Sequence, residues 1–445
     1  MRRVLVLGAG MVSRPLVRYL LGRNDIGVTV ATRSVRKAEA MLGGHQHARA
    51  VALDAGDLGA MRGLVGDADL VVSLLPPSMH VDAARLALAA GKHFVTTSYV
   101  SDAMCALDGP VRAAGLAFLN EVGLDPGIDH MSALSIIHGI QSRDGSVVSF
   151  HSYCGALPAP EADTNPWGYK FSWSPRGVIL AGRNSARYLE DGCEKTLPGE
   201  SLFSHHWFVD VKGFGEFEAY FNRDSIPYIE MYGLEGVVDM FRATLRYPGW
   251  SYTMQKLADL RYFDLDELTG PPATYAGLTR LLGKVPADVD VREELAESLQ
   301  VDAGSDAMCR MEWLGLFAEE AIPWADLPTI SPLDALASLM LTRMPLEAGE
   351  RDLCVMQHEV VGAFPSGERE TTVSTLIVYG DPDSAIARTV GLPAAISVDM
   401  ILDGRISDRG VLMPVSASVY KPILDELAAG GDVVFTERIA AGLQG

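Results

Sequence analysis

Three stretches of the chain concentrate side chains that could do chemistry. Residues 8–13 read Gly-Ala-Gly-Met-Val-Ser, directly after one apolar run and at the start of an amphipathic one. A Gly-x-Gly turn at such a junction lets backbone N–H groups approach a pyrophosphate, whose charge a helix N-terminus favours. Gly8, Gly10, Met11, Val12 and Ser13 are therefore candidate dinucleotide contacts, with Ser13 where a third glycine would complete the fingerprint. Residues 31–34 read Ala-Thr-Arg-Ser, with Arg36 and Lys37 just beyond. A carboxylate there would take ribose hydroxyls but repel a 2′-phosphate, whereas Thr32 and Arg33 suit one, so NADP(H) is favoured over NAD(H). The plainer alternative is that Arg33 and Lys37 form a solvated helix start. Asp54 is either an adenine-side contact or a helix cap. Further on, Thr96-Thr97-Ser98-Tyr99 is a run of four hydroxyls, and Asp125 sits in Gly-Leu-Asp-Pro-Gly, on a sharp turn between two glycines.

These groups need elements to hold them. Across the first ~125 residues, apolar runs at 4–7, 28–31, 50–53, 70–75, 94–97 and 117–120 alternate with helical spacing at 11–21, 35–41 and 81–90. Near-continuous apolar strands separated by helices predict an α/β domain: a Rossmann-like, doubly wound parallel sheet covered on both faces. Ligands of such sheets bind beyond the carboxyl ends of the strands, where the glycine turn, the hydroxyl run and Asp125 all fall. From about 127 the texture changes. A helix near 131–140 leads to a strand at 147–153, a Pro/Gly-rich loop at 155–168 and a strand at 216–221. Residues 234–348 carry helical spacing with almost no strand signal, and 354–364 with 371–379 predict a hairpin. The expected division is 1–125 for the dinucleotide domain, with about 391–445 a candidate to return to it. A second α/β, substrate-binding domain is expected at 126–233 and 349–390, and an inserted all-α domain at 234–348.

Composition excludes several classes. The chain has 445 residues, and its net charge of −20 opposes a nucleic-acid partner. An anionic substrate would have to be met by a few placed arginines. No stretch reaches the roughly 20 uninterrupted apolar residues of a membrane span. Five scattered cysteines suggest neither a disulfide framework nor a zinc site, and point to a reduced cytoplasm. His80, His93, His130, His151, His205, His206 and His358 show no ligand spacing, so no metal is predicted. Trp207, Trp250 and Trp313 are expected in cores.

The stretches TTSYVS, NEVGLDPGIDH, SYCGALPAPE, NPWGYKFSWSPRGV, FNRDSIPY, TLRYPG, GERDLCVMQH and LDGRISDRGVL run in order from residue 96 to 412. With the GAGMVS turn, the chain resembles the glutamate-forming, NADP-dependent saccharopine dehydrogenases over nearly its whole length. The resemblance implies three domains, a homodimer, and interconversion of L-saccharopine with L-glutamate and L-2-aminoadipate 6-semialdehyde in lysine metabolism. It implies Asp125, Cys154 and Tyr99 around the reacting centre, with Asp125 accepting a proton and Tyr99 orienting substrate or carrying one. Cys154 reads equally well as a small buried hydrophobe. Arg223 and Arg246 are implied as carboxylate anchors, with Thr244, Leu245 and Ser98 beside the substrate. Further cofactor contacts are implied from Leu75, Thr97, Ser98, Leu124, Asp125, Pro126 and Ser174.

Two other readings stay open. A related imine reductase of the carboxynorspermidine dehydrogenase type would share the dinucleotide half but would not need three carboxylate anchors. A non-catalytic NADP(H)-binding sensor or scaffold would keep the fold without turnover. Residues 198–214 carry no recognisable motif.

Overall fold

The computed structural model describes residues 1–322 and 327–442. It divides into two compact units, one of residues 1–146, 364–367 and 376–438, the other of residues 147–322, 327–363, 368–375 and 439–442.

The first unit is built on β1 (Arg2–Leu7), β2 (Ile26–Thr32), β3 (Ala48–Ala52), β4 (Leu70–Ser73), β5 (His93–Thr96) and β6 (Ala117–Leu119). Their order is β6-β5-β4-β1-β2-β3, every pair parallel. β1 and β4 are buried along nearly their whole length, as a sheet covered on both faces requires. A seventh strand, Gly410–Leu412, pairs parallel with β6, so the C-terminal segment does return to this sheet. The first unit extends past the loop around Asp125 to Ser146, because the helix Ile128–Gln141 is buried on nearly all sides.

The helix α1 (Ser13–Leu21) packs on the helix Ala385–Leu402, where a Cβ on Gly391 would stand 2.8 Å from the Val12 carbonyl. Close helix approach is thus supplied by Gly391, and the buried Ser13 instead donates its hydroxyl to the Gly10 carbonyl at 2.7 Å. The helix Ala385–Leu402 is long and apolar enough to cross a membrane, but 78% of it is buried inside this protein, as a core helix would be.

The second unit holds β7 (Ser146–Pro158), β8 (Ala186–Glu190), β9 (Cys193–Leu197), β10 (His206–Val211), β11 (Gly215–Phe221) and β12 (Asp239–Arg246). The sheet runs β10-β11-β12-β7, then Asp352–Ala363 and Arg369–Tyr379, with β8 and β9 branching from β12. β12 overturns the expectation of almost no strand after 234: it is a central strand, antiparallel to β11 and parallel to β7. Phe241 to Arg246 does alternate apolar with polar residues, a strand signal too short to stand out beside the helical spacing around it, and both arginines on its polar face are buried. β8, β9 and β10 are also unexpected. The helical segment 250–343 lies within this unit rather than separating from it. Trp250 is 1% exposed, but Trp207 is only half-buried, and Trp313 on the helix Asp306–Leu314 is 40% exposed rather than a core residue.

Candidate active site

At the carboxyl end of the first sheet, Gly8 has φ +106°, and a Cβ there would lie 2.9 Å from the Leu74 carbonyl. The left-handed backbone and the contact both require glycine. A Cβ on Gly10 would meet no protein atom within 4 Å, so the space beside it is open. No side chain caps α1 at Val12, which leaves its first-turn N–H groups for a ligand. Arg33, one residue past β2, is exposed and forms no ion pair among the described residues. An open cradle, an uncapped helix N-terminus and a free guanidinium beyond β2 fit a dinucleotide carrying a 2′-phosphate. Asp54 is exposed and accepts from the Gly56 N–H at 3.0 Å, while Asp57 caps the helix Leu58–Asp67. The cap is therefore Asp57, and Asp54 shapes the turn before it.

The hydroxyl run and the Asp125 loop meet beyond β5 and β6. Tyr99 Oη donates to Asp125 Oδ1. Gly127 has φ +145°, and a Cβ on it would lie 2.1 Å from the Gly123 carbonyl, so the two glycines that bracket Asp125 are in contact. Leu124 and Pro126 flank Asp125 in this loop and are buried. Ser98 Oγ is held at 2.8 Å by Nε2 of His80, whose Nδ1 lies 2.8 Å from Ser73 Oγ. Burial pushes the His80 imidazole down to about 4, so it is neutral at physiological pH and holds both serines without adding charge. Leu75 and Thr97, both half-buried, lie just past the ends of β4 and β5.

In the second unit the candidates gather around the end of β12. Arg246 is 5% exposed. Its guanidinium carbon lies 5.1 Å from the Tyr169 ring centroid, 5.5 Å from Trp250 and 6.0 Å from Tyr220. Nη1 donates to the Leu245 carbonyl at 2.7 Å, and Nε has no hydrogen-bond partner among the described residues. Glu218 is the cross-strand partner of Arg246, yet its carboxylate accepts from the Gly249 and Ser251 N–H groups at the start of the helix Trp250–Asp259. The acid opposite it in the ladder is thereby committed to a helix N-terminus, and Arg246 remains a buried cation in an aromatic cage. Burial raises the Tyr169 and Tyr220 phenols above their ordinary range, with Arg246 pulling each back.

Thr244 is the register partner of Cys154 across β12 and β7, so TLR and SYC, far apart in sequence, become neighbours. Cys154 is buried, and the Leu245 side chain is fully in the core. Arg223 lies past the other end of the β11–β12 ladder, where the Asn222 N–H meets the Arg242 carbonyl. Five residues of ladder, about 17 Å at the usual strand rise, separate it from Arg246, so the two do not close on one carboxylate. Ser174 is exposed and caps the short helix Pro175–Ala181 by accepting from the Gly177 N–H at 3.3 Å. Sequence reasoning missed the cage residues Tyr169 and Tyr220, the capping Glu218, His80 as the holder of Ser98, and the buried Glu121 beside the Asp125 loop. Glu121 and Tyr169 carried a signal, Glu121 by lying in the same eleven-residue stretch as Asp125 and Tyr169 by lying in the stretch that holds Ser174.

A parallel sheet with an open pyrophosphate cradle and a polar strand-end site defines a nicotinamide-dependent oxidoreductase of Rossmann type. Residues 4–119 match the saccharopine dehydrogenase NADP binding domain, and residues 123–432 the saccharopine dehydrogenase C-terminal domain. The chain belongs to the saccharopine dehydrogenase family, and its cofactor is NADP(H). It is 37% identical to the saccharopine dehydrogenase [NADP(+), L-glutamate-forming] of Pyricularia oryzae, over 99% of each chain. It is 35% identical to the mitochondrial alpha-aminoadipic semialdehyde synthase of Bos taurus, over 98% of this chain and 48% of that one. The structure matches the apo histidine-tagged saccharopine dehydrogenase (L-Glu forming) of Saccharomyces cerevisiae with a TM-score of 0.87, 35% identity, and coverage of 99% and 100% of the two chains.

Proposed function

We propose that this protein interconverts L-saccharopine with L-glutamate and L-2-aminoadipate 6-semialdehyde, in lysine metabolism. The observation that carries this reading is Arg246: a buried guanidinium whose cross-strand acid, Glu218, is occupied elsewhere is a site for an anionic ligand. Saccharopine has three carboxylates, and Arg246 binds one of them between the rings of Tyr169, Tyr220 and Trp250. Arg223, too distant to share that carboxylate, serves another, and Thr244 and Ser98 offer hydroxyls to the substrate. Arg33 and Thr32 meet the 2′-phosphate, and the backbone at Gly10 to Ser13 meets the pyrophosphate.

Bound NADP supplies the hydride acceptor. For hydride to leave the carbon beside the secondary amine, the nitrogen must be neutral. Asp125 takes the amine proton, and Tyr99, already hydrogen-bonded to Asp125, orients the group and relays the proton. Water then adds to the substrate imine, and the carbinolamine collapses to glutamate and the semialdehyde, with Asp125 and Tyr99 moving protons in turn. Cys154 is the third candidate, and replacement by serine separates thiol proton transfer from hydroxyl proton transfer. A cytoplasmic homodimer completes the proposal. The family resemblance supports the assembly, and the five free cysteines support the compartment.

The test is to mix purified protein with L-saccharopine and NADP at mildly alkaline pH and follow reduced nicotinamide by absorbance, then repeat with NAD. NADP reduction with glutamate as product is expected. No turnover by protein that still binds NADPH would move the search to other imines.

A further inference from the structure

Beneath the Tyr99–Asp125 contact lies a group that neither substrate nor cofactor needs to touch. Glu121, immediately after β6 and the following Asn120, is 4% exposed and has φ +57°, a left-handed conformation that a non-glycine residue adopts only when its surroundings hold it there. Its N–H donates to the Ser98 carbonyl at 3.2 Å, and its Oε1 accepts from the Val100 N–H at 2.8 Å. One residue therefore grips the backbone on both sides of Tyr99. Its Oε2 lies 2.8 Å from Nε2 of His130, which is fully buried on the helix Ile128–Gln141. The neighbouring Asp129 accepts from the Gly127 N–H at 2.6 Å, at the far end of the Asp125 loop.

We infer that Glu121 is a positioning residue: it clamps the 98–100 segment to the 121–130 loop and so keeps Tyr99 in register with Asp125. Both loops lie beyond strand ends, where no ladder fixes them, and the Tyr99–Asp125 hydrogen bond alone joins one flexible side chain to another. The Glu121 clamp acts on backbone, and His130 holds the carboxylate in the rotamer that reaches Val100. Buried hydrogen bonds of this kind fix geometry that mobile side chains cannot. The inference rests on the reading of Tyr99 and Asp125 as the reacting pair, so its test needs a readout other than turnover.

The full-length protein, labelled with ¹³C in its tyrosine rings, provides one, with the Tyr99 signal assigned by its loss in Y99F. In E121A the Tyr99 signal should move toward that of an exposed tyrosine. kcat for saccharopine should fall roughly 10²-fold, the effect of a displacement of about 1 Å, in protein that still binds NADPH. E121Q should restore both, because its amide oxygen can still accept from the Val100 N–H that the clamp depends on. If E121A loses NADPH binding through unfolding, E121D carries the same test, since its carboxylate cannot reach Val100 and His130 together. An unmoved Tyr99 signal in E121A, or an E121Q variant as impaired as E121A, overturns the clamp. A displaced Tyr99 with full turnover leaves the clamp standing and instead sinks the assignment of Tyr99 and Asp125 to the chemistry, as would full turnover by D125N.

Discussion

The two halves of the molecule present their chemistry in opposite ways. In the first unit the functional groups are short side chains on loops, each tied by hydrogen bonds: Ser98 to His80, Tyr99 to Asp125, the backbone around Tyr99 to Glu121. In the second unit the central group is a long cation held mainly by packing, Arg246 among Tyr169, Tyr220 and Trp250. Proton transfer requires donor and acceptor within hydrogen-bond reach, which a polar network supplies. Carboxylate capture requires an unneutralised charge in a dry place, which an aromatic cage supplies if the acid opposite it is kept away. Glu218 keeps away by capping a helix.

If this contrast is right, variants in the two units should fail differently. The largest effect is expected for D125N, with kcat lower by roughly 10²–10⁴-fold, the range for loss of a general base, in protein that still binds NADPH. R246A should lose roughly 10²-fold or more in kcat/KM for saccharopine, mainly through KM. This follows from about 3 kcal/mol for a buried charge-assisted pair. Steady-state kinetics of both variants would break the comparison if the kcat and KM effects were exchanged. R33A should raise KM for NADP roughly tenfold, with KM for NAD little changed; an equal rise for both would return Arg33 to a plain surface residue.

Stability against pH sharpens the contrast further. The His80 pKa is lowered to about 4 by burial, below its ordinary unfolded value, so the unfolded chain takes up the proton first as pH falls. His80 is thus compatible with full stability above about pH 6.5 and costs about 3 kcal/mol as pH falls to about 4. His151, stacked on Phe241 in the second unit, is lowered to about 4 for the same reason. Thermal melting from pH 7 to 4.5 should show this loss, and H80Q should remove part of it in the first unit. The smallest expected effect on folding is that of G10A, which meets no protein atom and should keep the melting temperature while weakening NADP binding. G8A, strained and in contact with Leu74, should lower the melting temperature as well.

Much of the first unit is legible in the sequence. All six expected strands form, and the stretch bearing Asp125 is a turn. The second unit was less legible. β12 was hidden because its apolar–polar alternation is short and sits among stretches of helical spacing, and nothing in that pattern says that its two arginines are buried. The Arg246 cage was invisible because Tyr169, Tyr220 and Trp250 come from three separate segments.

The sequence by itself determined what is local: the strand–glycine–helix turn, the basic end of β2 and the hairpin of glycines around Asp125. Each depends on backbone conformation and nearest neighbours, which a few adjacent residues specify. Only the tertiary structure decided which charges are satisfied. That Glu218 faces Arg246 yet binds Gly249 and Ser251, and that Glu121 reaches back to Val100, are consequences of strand register and loop closure. Side chains distant in sequence compete there for the same buried hydrogen bonds, and geometry chooses the winner.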